Sequence, residues 1–517
     1  MNKIKKRSIA VLLGVFLLLQ GTALTNAAQR DMKKATFQDS IVYVAKGGEK
    51  ALEYTRTQED STLKFSSANG KIATVDAAGK VHGVATGKTT IRVKETYESA
   101  WGTAESEDTI QVVVNNPSLS RQTVVCNIHD KSKSDGFYVF RNTTLKVNGI
   151  NEDYSHVEQV SSKANVKVYH SPHGTSGEEF KIYVKQAGNY TVKLSLDGKI
   201  VSLNVKAANI YVPEHAKQAS EYNEMLLLYR GENALLNLKG NTTGIQPAYK
   251  SGTPSVATVN SDGKVTAKAV GYTNLTIQIG DCKITHKVGV SYETSVKALR
   301  YAKKHHGENY SVKYRMRDGY YDNSSYVWRA YYDAGKKIGG STLDAATAKE
   351  MAGYCKDKDW VIMSGTVDMD RMLPGDIIFE YDNAGNKFGS VSDVSLYQGN
   401  QYGITVQRNR YYKLKMDDVI IARPCRSGGY GLQAEKTAAT EVKVSWSRNF
   451  ASTGYQLYRS TSKTGTYTKV ATVKGKLSYQ NTGLTKGKTY YYKVRPYWSC
   501  DGRTYYGAYS NICNITL

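Results

Sequence analysis

From about residue 36 to residue 115, apolar and polar side chains alternate between glycine-bearing turns, the period-two pattern of half-buried strands. Within this stretch, residues 72–91 read as strand, turn at Gly79, short strand through Val81, turn at Gly87, strand. The same run returns at residues 256–275, where Gly263, Val265 and Gly271 stand at the positions of Gly79, Val81 and Gly87. Between the copies, residues 166–169, 180–184 and 190–196 are strand-like, so residues 117–207 are expected to form a further β-sandwich. Helical spacing takes over at residues 295–306, where Val296, Leu299 and Ala302 share a face, and residues 345–356 are helix-like as well. After Pro374 short strands and glycine turns resume, so residues 295–425 predict a helix-then-sheet α+β arrangement. Residues 431–517 alternate once more. There Trp446 belongs to one strand of a sandwich and Tyr490, Tyr491 and Tyr492 to an opposed one, the tyrosines at half-exposed positions.

Composition narrows the functional classes. A chain of 517 residues allows roughly three or four domains, more if they are small β modules. The formal charge of +24 favours anionic partners. Nucleic acid is not expected among them, because no nucleic-acid motif accompanies the charge and the N-terminus argues for export. Residues 1–7 carry four basic side chains, residues 9–19 are apolar, and Thr25-Asn26-Ala27 offers a cleavage site. This predicts a signal peptide at 1–27, since the apolar core is too short to span a bilayer. No lipobox cysteine follows, and the chain ends at Asn514-Ile515-Thr516-Leu517 without a sorting signal. The expected product is secreted or cell-surface associated, of Gram-positive type, held non-covalently and with no membrane span after signal removal. Six cysteines in a chain of this length do not make a disulfide framework. Cys500 and Cys513, on either side of a hairpin turn at Asp501-Gly502, are expected on the order of 30 Å apart and free. Cys355 reads as a packed apolar side chain. His170 and His173 have ligand-like spacing, but no acidic or cysteine partner follows closely, so neither metal nor cofactor is expected.

The chemistry turns on residues 319–331, Gly-Tyr-Tyr-Asp-Asn-Ser-Ser-Tyr-Val-Trp-Arg-Ala-Tyr. This stretch resembles the nucleophile segment of the NlpC/P60 cysteine peptidases, bacterial enzymes that cut peptidoglycan stem peptides. In that family an Asp-Cys-Ser-(Gly/Ser) run opens a helix, and the cysteine attacks. Two further segments resemble the same family in the same order: Leu373-Pro374-Gly375-Asp376-Ile377-Ile378-Phe379, and Asp393-Val394-Ser395-Leu396-Tyr397-Gln398-Gly399-Asn400. Here Asn323 occupies the cysteine position and Asp393 that of the histidine base, while Gln407 falls near the third, orienting residue. The Gly-Gly pair usual upstream is missing; Lys313 and Tyr314 lie there. A thiol at a helix N-terminus is activated because the peptide dipoles favour its thiolate. A carboxamide has no proton to lose and can only hydrogen-bond. The resemblance therefore implies a papain-like fold without the family's chemistry, with Asn323, Asp393 and Gln407 as vestigial catalytic positions. Ser324 is a poor substitute nucleophile, because one residue on a helix turns ~100° away from the groove that position 323 faces. Asp322, Asp376 and Asp393 are read as capping, turn and groove residues rather than as metal ligands.

Tyrosine outnumbers the other aromatics, 40 against 9 Phe and 5 Trp, and crowds the former nucleophile segment. Its flat ring and polar tip suit sugar or protein surfaces. Tyr320, Tyr321, Asn323, Ser324, Tyr326 and Asp393 are accordingly the candidate binding residues. The repeated strand–turn run resembles bacterial Ig-like group 2 domains. Val442-Lys443-Val444-Ser445-Trp446 with Tyr490-Tyr491-Tyr492-Lys493-Val494 resembles a fibronectin type III domain. The expected order is signal peptide 1–27, Ig-like domain 36–116, β-sandwich 117–207, Ig-like domain 208–291, NlpC/P60-like domain 295–425 and fibronectin type III domain 431–517. The expected fold class is thus multidomain, all-β sandwiches plus one α+β papain-like domain. The favoured expectation is a non-catalytic binding protein for cell-wall peptidoglycan, anionic wall polymers, or a host glycoprotein such as an immunoglobulin. A stem-peptide hydrolase with an altered site and a purely structural wall protein are the alternatives.

Overall fold

A computed structural model of the chain describes residues 36–99, 102–129, 131–150, 157–174, 177–213, 225–341, 343–406, 411–413, 417–424, 431–500 and 502–517. The expected signal peptide at 1–27 lies outside them. The chain divides into two units. One runs to Leu119 and includes Val147–Glu158 and Leu194–Val201; the other comprises Ser120–Lys146, Gln159–Lys193 and Ser202–Leu517. The span 117–207, expected as one sandwich, therefore contributes to both.

In the first unit, Ile41–Ala45 runs parallel to Gly102–Asn115, and the sheet continues antiparallel through Gly87–Ser99 to Thr62–Ser67. Glu49–Ala51, Lys80–Gly83 and Ala73–Val75 form a second sheet. Val42, Val44, Ile91 and Val112 from the first sheet share one core with Ala73 and Val81 from the second. In the second unit the same pairing recurs. Leu226–Tyr229 is parallel to Cys282–Ser291, followed by Gly271–Ile279 and Ala248–Ser251, with Asn233–Leu235, Lys264–Ala267 and Ala257–Val259 as the partner sheet. The repeat in sequence is thus a repeat in topology. Gly79 and Gly263 adopt φ of +79° and +80°, where an L side chain is strained. A Cβ on Gly79 would also stand 2.8 Å from the Phe65 ring.

The C-terminal block is a β-sandwich. One sheet holds Gln433–Ala438, Glu441–Ser445 and Ser478–Asn481, and the other Thr468–Val473, Gly454–Ser460, Thr489–Cys500 and Arg503–Tyr506, with Cys513–Thr516 on Thr489–Cys500. Trp446, Tyr455, Leu457, Tyr490, Tyr492 and Val494 fill its core. The half-exposed reading of the tyrosines holds for Tyr491 only. Tyr490 and Tyr492 are buried, because alternation turns positions 490 and 492 inward together. Cys500 pairs with Arg503 beside the turn, and Cys513 lies opposite Tyr492, far down the same strand.

Among the described residues, 293–422 combine three α-helices with a six-stranded sheet and a two-stranded one. Helix α1 (Glu293–Lys304) buries Val296, Leu299 and Ala302, the apolar face anticipated from their spacing. Helix α2 spans Asn323–Asp333, and helix α3 (Ala348–Asp357) starts at a capping box between Thr347 and Glu350. The helices pack on an antiparallel sheet in the order Val361–Gly365, Val419–Ala422, Ile377–Tyr381, Val391–Gly399, Tyr402–Ile404, Tyr411–Lys413. Its first turn is fixed by charge. Asp376, itself buried, accepts from Arg423 Nε at 2.8 Å and Nη2 at 2.7 Å, and its Oδ2 also accepts from Leu373 N at 2.8 Å. Gly375 has φ +88°, and a Cβ there would lie 2.5 Å from Ser295 O in α1.

This α+β region is held from both sides within its unit. Tyr272 donates to Met372 O at 2.9 Å and Ser291 to Pro374 O at 2.7 Å. From the C-terminal sandwich, Trp498 joins a cluster with Ile362, Met363, Met372, Ile378 and Ile421, and Arg371 donates to Ser499 O at 2.9 Å. Removing one member of the buried pair leaves the other charge without compensation. Asp376→Ala is expected to cost about 3–5 kcal/mol by chemical denaturation, and Asp376→Leu with Arg423→Met to recover much of that loss.

Candidate functional site

The site is built where α2 begins. Asp322 is the N-cap: its Oδ1 accepts from Ser325 N at 2.6 Å, and Ser325 Oγ accepts from Asp322 N at 3.0 Å. This reciprocal cap places Asn323 in the first helical turn. Asp393 projects from Val391–Gly399, opposite Glu380 in the ladder. The two side chains meet. Asn323 Nδ2 donates to Asp393 Oδ1 at 2.9 Å and Oδ2 at 3.2 Å. Asp393 Oδ1 also accepts from Val394 N at 2.7 Å, which fixes the carboxylate. Asn323 Oδ1 is buried and accepts no hydrogen bond.

Residues 70 positions apart in the chain are therefore in direct contact. The contact pairs a neutral donor with an acceptor. Asn323 has no proton to lose and can only hydrogen-bond. Ser324 is half-buried beside it. Gln407 and Cys425 lie outside the described residues.

The other candidates divide. Tyr320 remains on the rim, its ring 5.7 Å from that of Tyr314 and under the Arg317 guanidinium at 5.7 Å. Tyr321 and Tyr326 do not belong to a ligand-facing surface, and this corrects the sequence expectation. Tyr321 is 2% exposed and Tyr326 fully buried. Tyr321 bonds Tyr301 at 3.1 Å and His305 Nδ1 at 3.2 Å, and Tyr326 donates to Ala302 O. Both hydroxyls fasten α2 and its approach to α1. Tyr331 likewise donates to Gly375 O from within the core. A helix face turned inward makes these tyrosines polar-tipped core residues.

Two residues at the site had no sequence signal. Tyr310, half-exposed, stands opposite Tyr321, the residue before Asp322, and its hydroxyl pKa is raised by burial first and then by the charges of Asp322 and Asp393. The short parallel pairing of Asn309–Tyr310 with Tyr320–Tyr321 brings it there. Arg315 ties the approach loop down, with Nε 3.5 Å from Asp322 Oδ2 and Nη2 donating to Ala345 O and Ala346 O at 3.0 and 3.1 Å.

The three aspartates do separate work: Asp322 caps, Asp376 pairs with Arg423, Asp393 holds Asn323. Among the described residues no cluster of three His, Cys, Asp or Glu side chains is placed to hold a metal ion. His305 and His306 diverge, toward Glu308 at 2.8 Å and Thr405 O at 2.9 Å. His170 does have the acidic partner that the sequence did not reveal, Glu178 at 3.0 Å across the hairpin. Cys355 is fully buried, and desolvation pushes its thiol pKa well up, so the protonated, unreactive form prevails.

Residues 31–104 match the family of bacterial Ig-like domains (group 2). No curated protein matches the chain. Among solved structures, the chain is similar to an Fn3-like protein from Clostridium thermocellum, at 27% identity over 16% of this chain and 84% of that one, TM-score 0.15. It is also similar to the sixth fibronectin type III domain of human fibronectin type III domain containing protein 3, at 23% identity over 16% of this chain and 78% of that one, TM-score 0.14. Among the described residues no helix is long and apolar enough to cross a membrane.

Asp393→Ala strands a half-buried amide and should cost about 1 kcal/mol in denaturant unfolding, a loss partly relieved in the Asn323→Ala, Asp393→Ala double variant. Cys355 should stay unmodified by iodoacetamide at about pH 8 in the folded protein and react fully in denaturant, read by peptide mass spectrometry.

Proposed function

We propose that this chain is an exported multidomain binding protein in which an NlpC/P60-like, papain-like domain at 295–425 recognises its ligand without cutting it. The observation that carries this reading is the Asn323–Asp393 hydrogen-bonded pair, 2.9 and 3.2 Å long, at the positions where the family keeps nucleophile and base. A carboxamide held by a carboxylate is a stable polar wall, not a reacting pair. Around it Tyr310, Tyr320, Ser324 and Asp393 offer ring faces, hydroxyls and acceptors suited to the N–H groups of a peptide. The Ig-like and fibronectin-like modules position this domain. The ligand is cell-wall material or a host surface glycoprotein such as an immunoglobulin, and the +24 charge favours anionic wall polymers as a second contact. Retention at the surface is non-covalent.

Purified sacculi decide between recognition and hydrolysis. The wild-type protein should release no peptide, and Asn323→Cys should release none either, because position 393 still lacks an imidazole. Turnover by the wild type that vanishes in Ser324→Ala would establish an altered hydrolase instead. Saturable retention on sacculi, set against capture of host glycoproteins, identifies the partner; binding that is salt-reversible and never saturates points to a structural wall protein.

A further inference from the structure

A second candidate site lies well apart in sequence from positions 323 and 393. Tyr138–Asn142, Gly177–Val184 and Val166–Gly174 form a three-stranded sheet with Gly177–Val184 at its centre. Val166, Val168, Phe180, Ile182 and Val184 are buried on one face. Alternation puts Lys167, Tyr169, Lys181 and Tyr183 on the other. In register, Lys167 stands opposite Tyr183 and Tyr169 opposite Lys181. Ammonium groups and rings therefore alternate as on a checkerboard, with the two lysines diagonal neighbours, their Cβ atoms about 7–8 Å apart.

A cleft of about 400 Å³ opens over this face, bounded by the turn carrying Ser134, Asp135 and Phe137. The turn closes by reciprocal backbone bonds between Ser134 and Phe137 at 2.8 and 2.9 Å. Lys167 Nζ lies 4.4 Å from the centre of the Phe137 ring, and the Tyr169 and Tyr183 rings meet edge to face at 5.4 Å. Tyr169 is nevertheless 50% exposed. Lys181 is shared with the buried Glu179 at 3.7 Å. The size suits a short oligomeric ligand.

We infer that this cleft binds an acidic glycan, with Tyr169, Tyr183 and Phe137 against the sugar faces and Lys167 and Lys181 on its acid groups. Aromatic rings give flat apolar contact to sugar C–H faces, and Ser134, Ser171 and Asp135 serve sugar hydroxyls. Asp135 is the discriminating group. A carboxylate in the cleft accepts from sugar hydroxyls, which linear polyphosphate does not offer. Its chemistry thus separates a charged sugar from phosphate alone. Sulfated glycans from a host and carboxylated ones from a bacterial wall share this chemistry.

The test is calorimetric titration of the full chain with four probes: a heparin-derived octasaccharide, an oligoglucuronate, neutral cellohexaose and linear polyphosphate. Saturable binding of either acidic oligosaccharide, weaker with rising salt, is expected, and whichever binds tighter names the source. Lys167→Ala, Lys181→Ala and Tyr169→Ala should each weaken it about tenfold, while the remote Lys64→Ala leaves it unchanged. All four positions are at least partly exposed, so unchanged melting temperatures will show that the fold is intact. No binding, equal binding of polyphosphate or cellohexaose, or indifference to Tyr169→Ala would each overturn the assignment. None of these readouts involves Asn323 or Asp393, so failure here leaves the recognition reading of that pair standing.

Discussion

The buried Asp376–Arg423 pair is the constraint on which the central region rests. Two charges taken out of water require each other, and here both guanidinium contacts and a backbone N–H converge on one carboxylate. The pair fixes residues 373–376 as the turn into the sheet. Gly375 lets that turn press against α1 at a distance no side chain tolerates. The preceding β module, through Tyr272 and Ser291, and the C-terminal sandwich attach to the same few residues, at Met372, Pro374 and Arg371. A single electrostatic knot thereby orders the strand Ile377–Tyr381, its neighbour Val391–Gly399, and through it Asp393.

Against this frame the α2 cap works as a positioning device. Asp322 and Ser325 fix where the helix starts, so position 323 must face the strand that carries position 393. Such a frame serves whatever side chains are installed on it. With a thiol and an imidazole it would favour proton transfer. With Asn and Asp the same geometry yields one bifurcated hydrogen bond. An amide held by a carboxylate suits the proposed recognition, since binding needs only a shaped and polar surface.

Much of the architecture was legible in the residues. Period-two alternation and paired glycines marked both repeats of the strand–turn run, because φ near +80° at Gly79 and Gly263 is a local demand that side chains rarely meet. The three apolar positions of α1 and the cap at Asp322 were equally local. The tyrosines were not. Tyr321, Tyr326, Tyr490 and Tyr492 carry polar tips that suit a surface, yet each tip found a partner inside: Tyr301 and His305, Ala302 O, Thr485 N and Asn481. A tyrosine's place depends on whether a distant acceptor is waiting for its hydroxyl, and residue identity does not encode that.

The amino-acid order by itself determined the modules, their turns, the helix start at Asn323 and the absence of an ionisable side chain at that position. Only the tertiary structure decided that Asn323 and Asp393 touch, that Tyr310 and Arg315 flank them, and that lysines and tyrosines on two strands make one checkerboard. The physical reason is range. Backbone preference, capping and alternation act over a few residues, whereas a site forms wherever packing brings remote side chains within about 3 Å of one another.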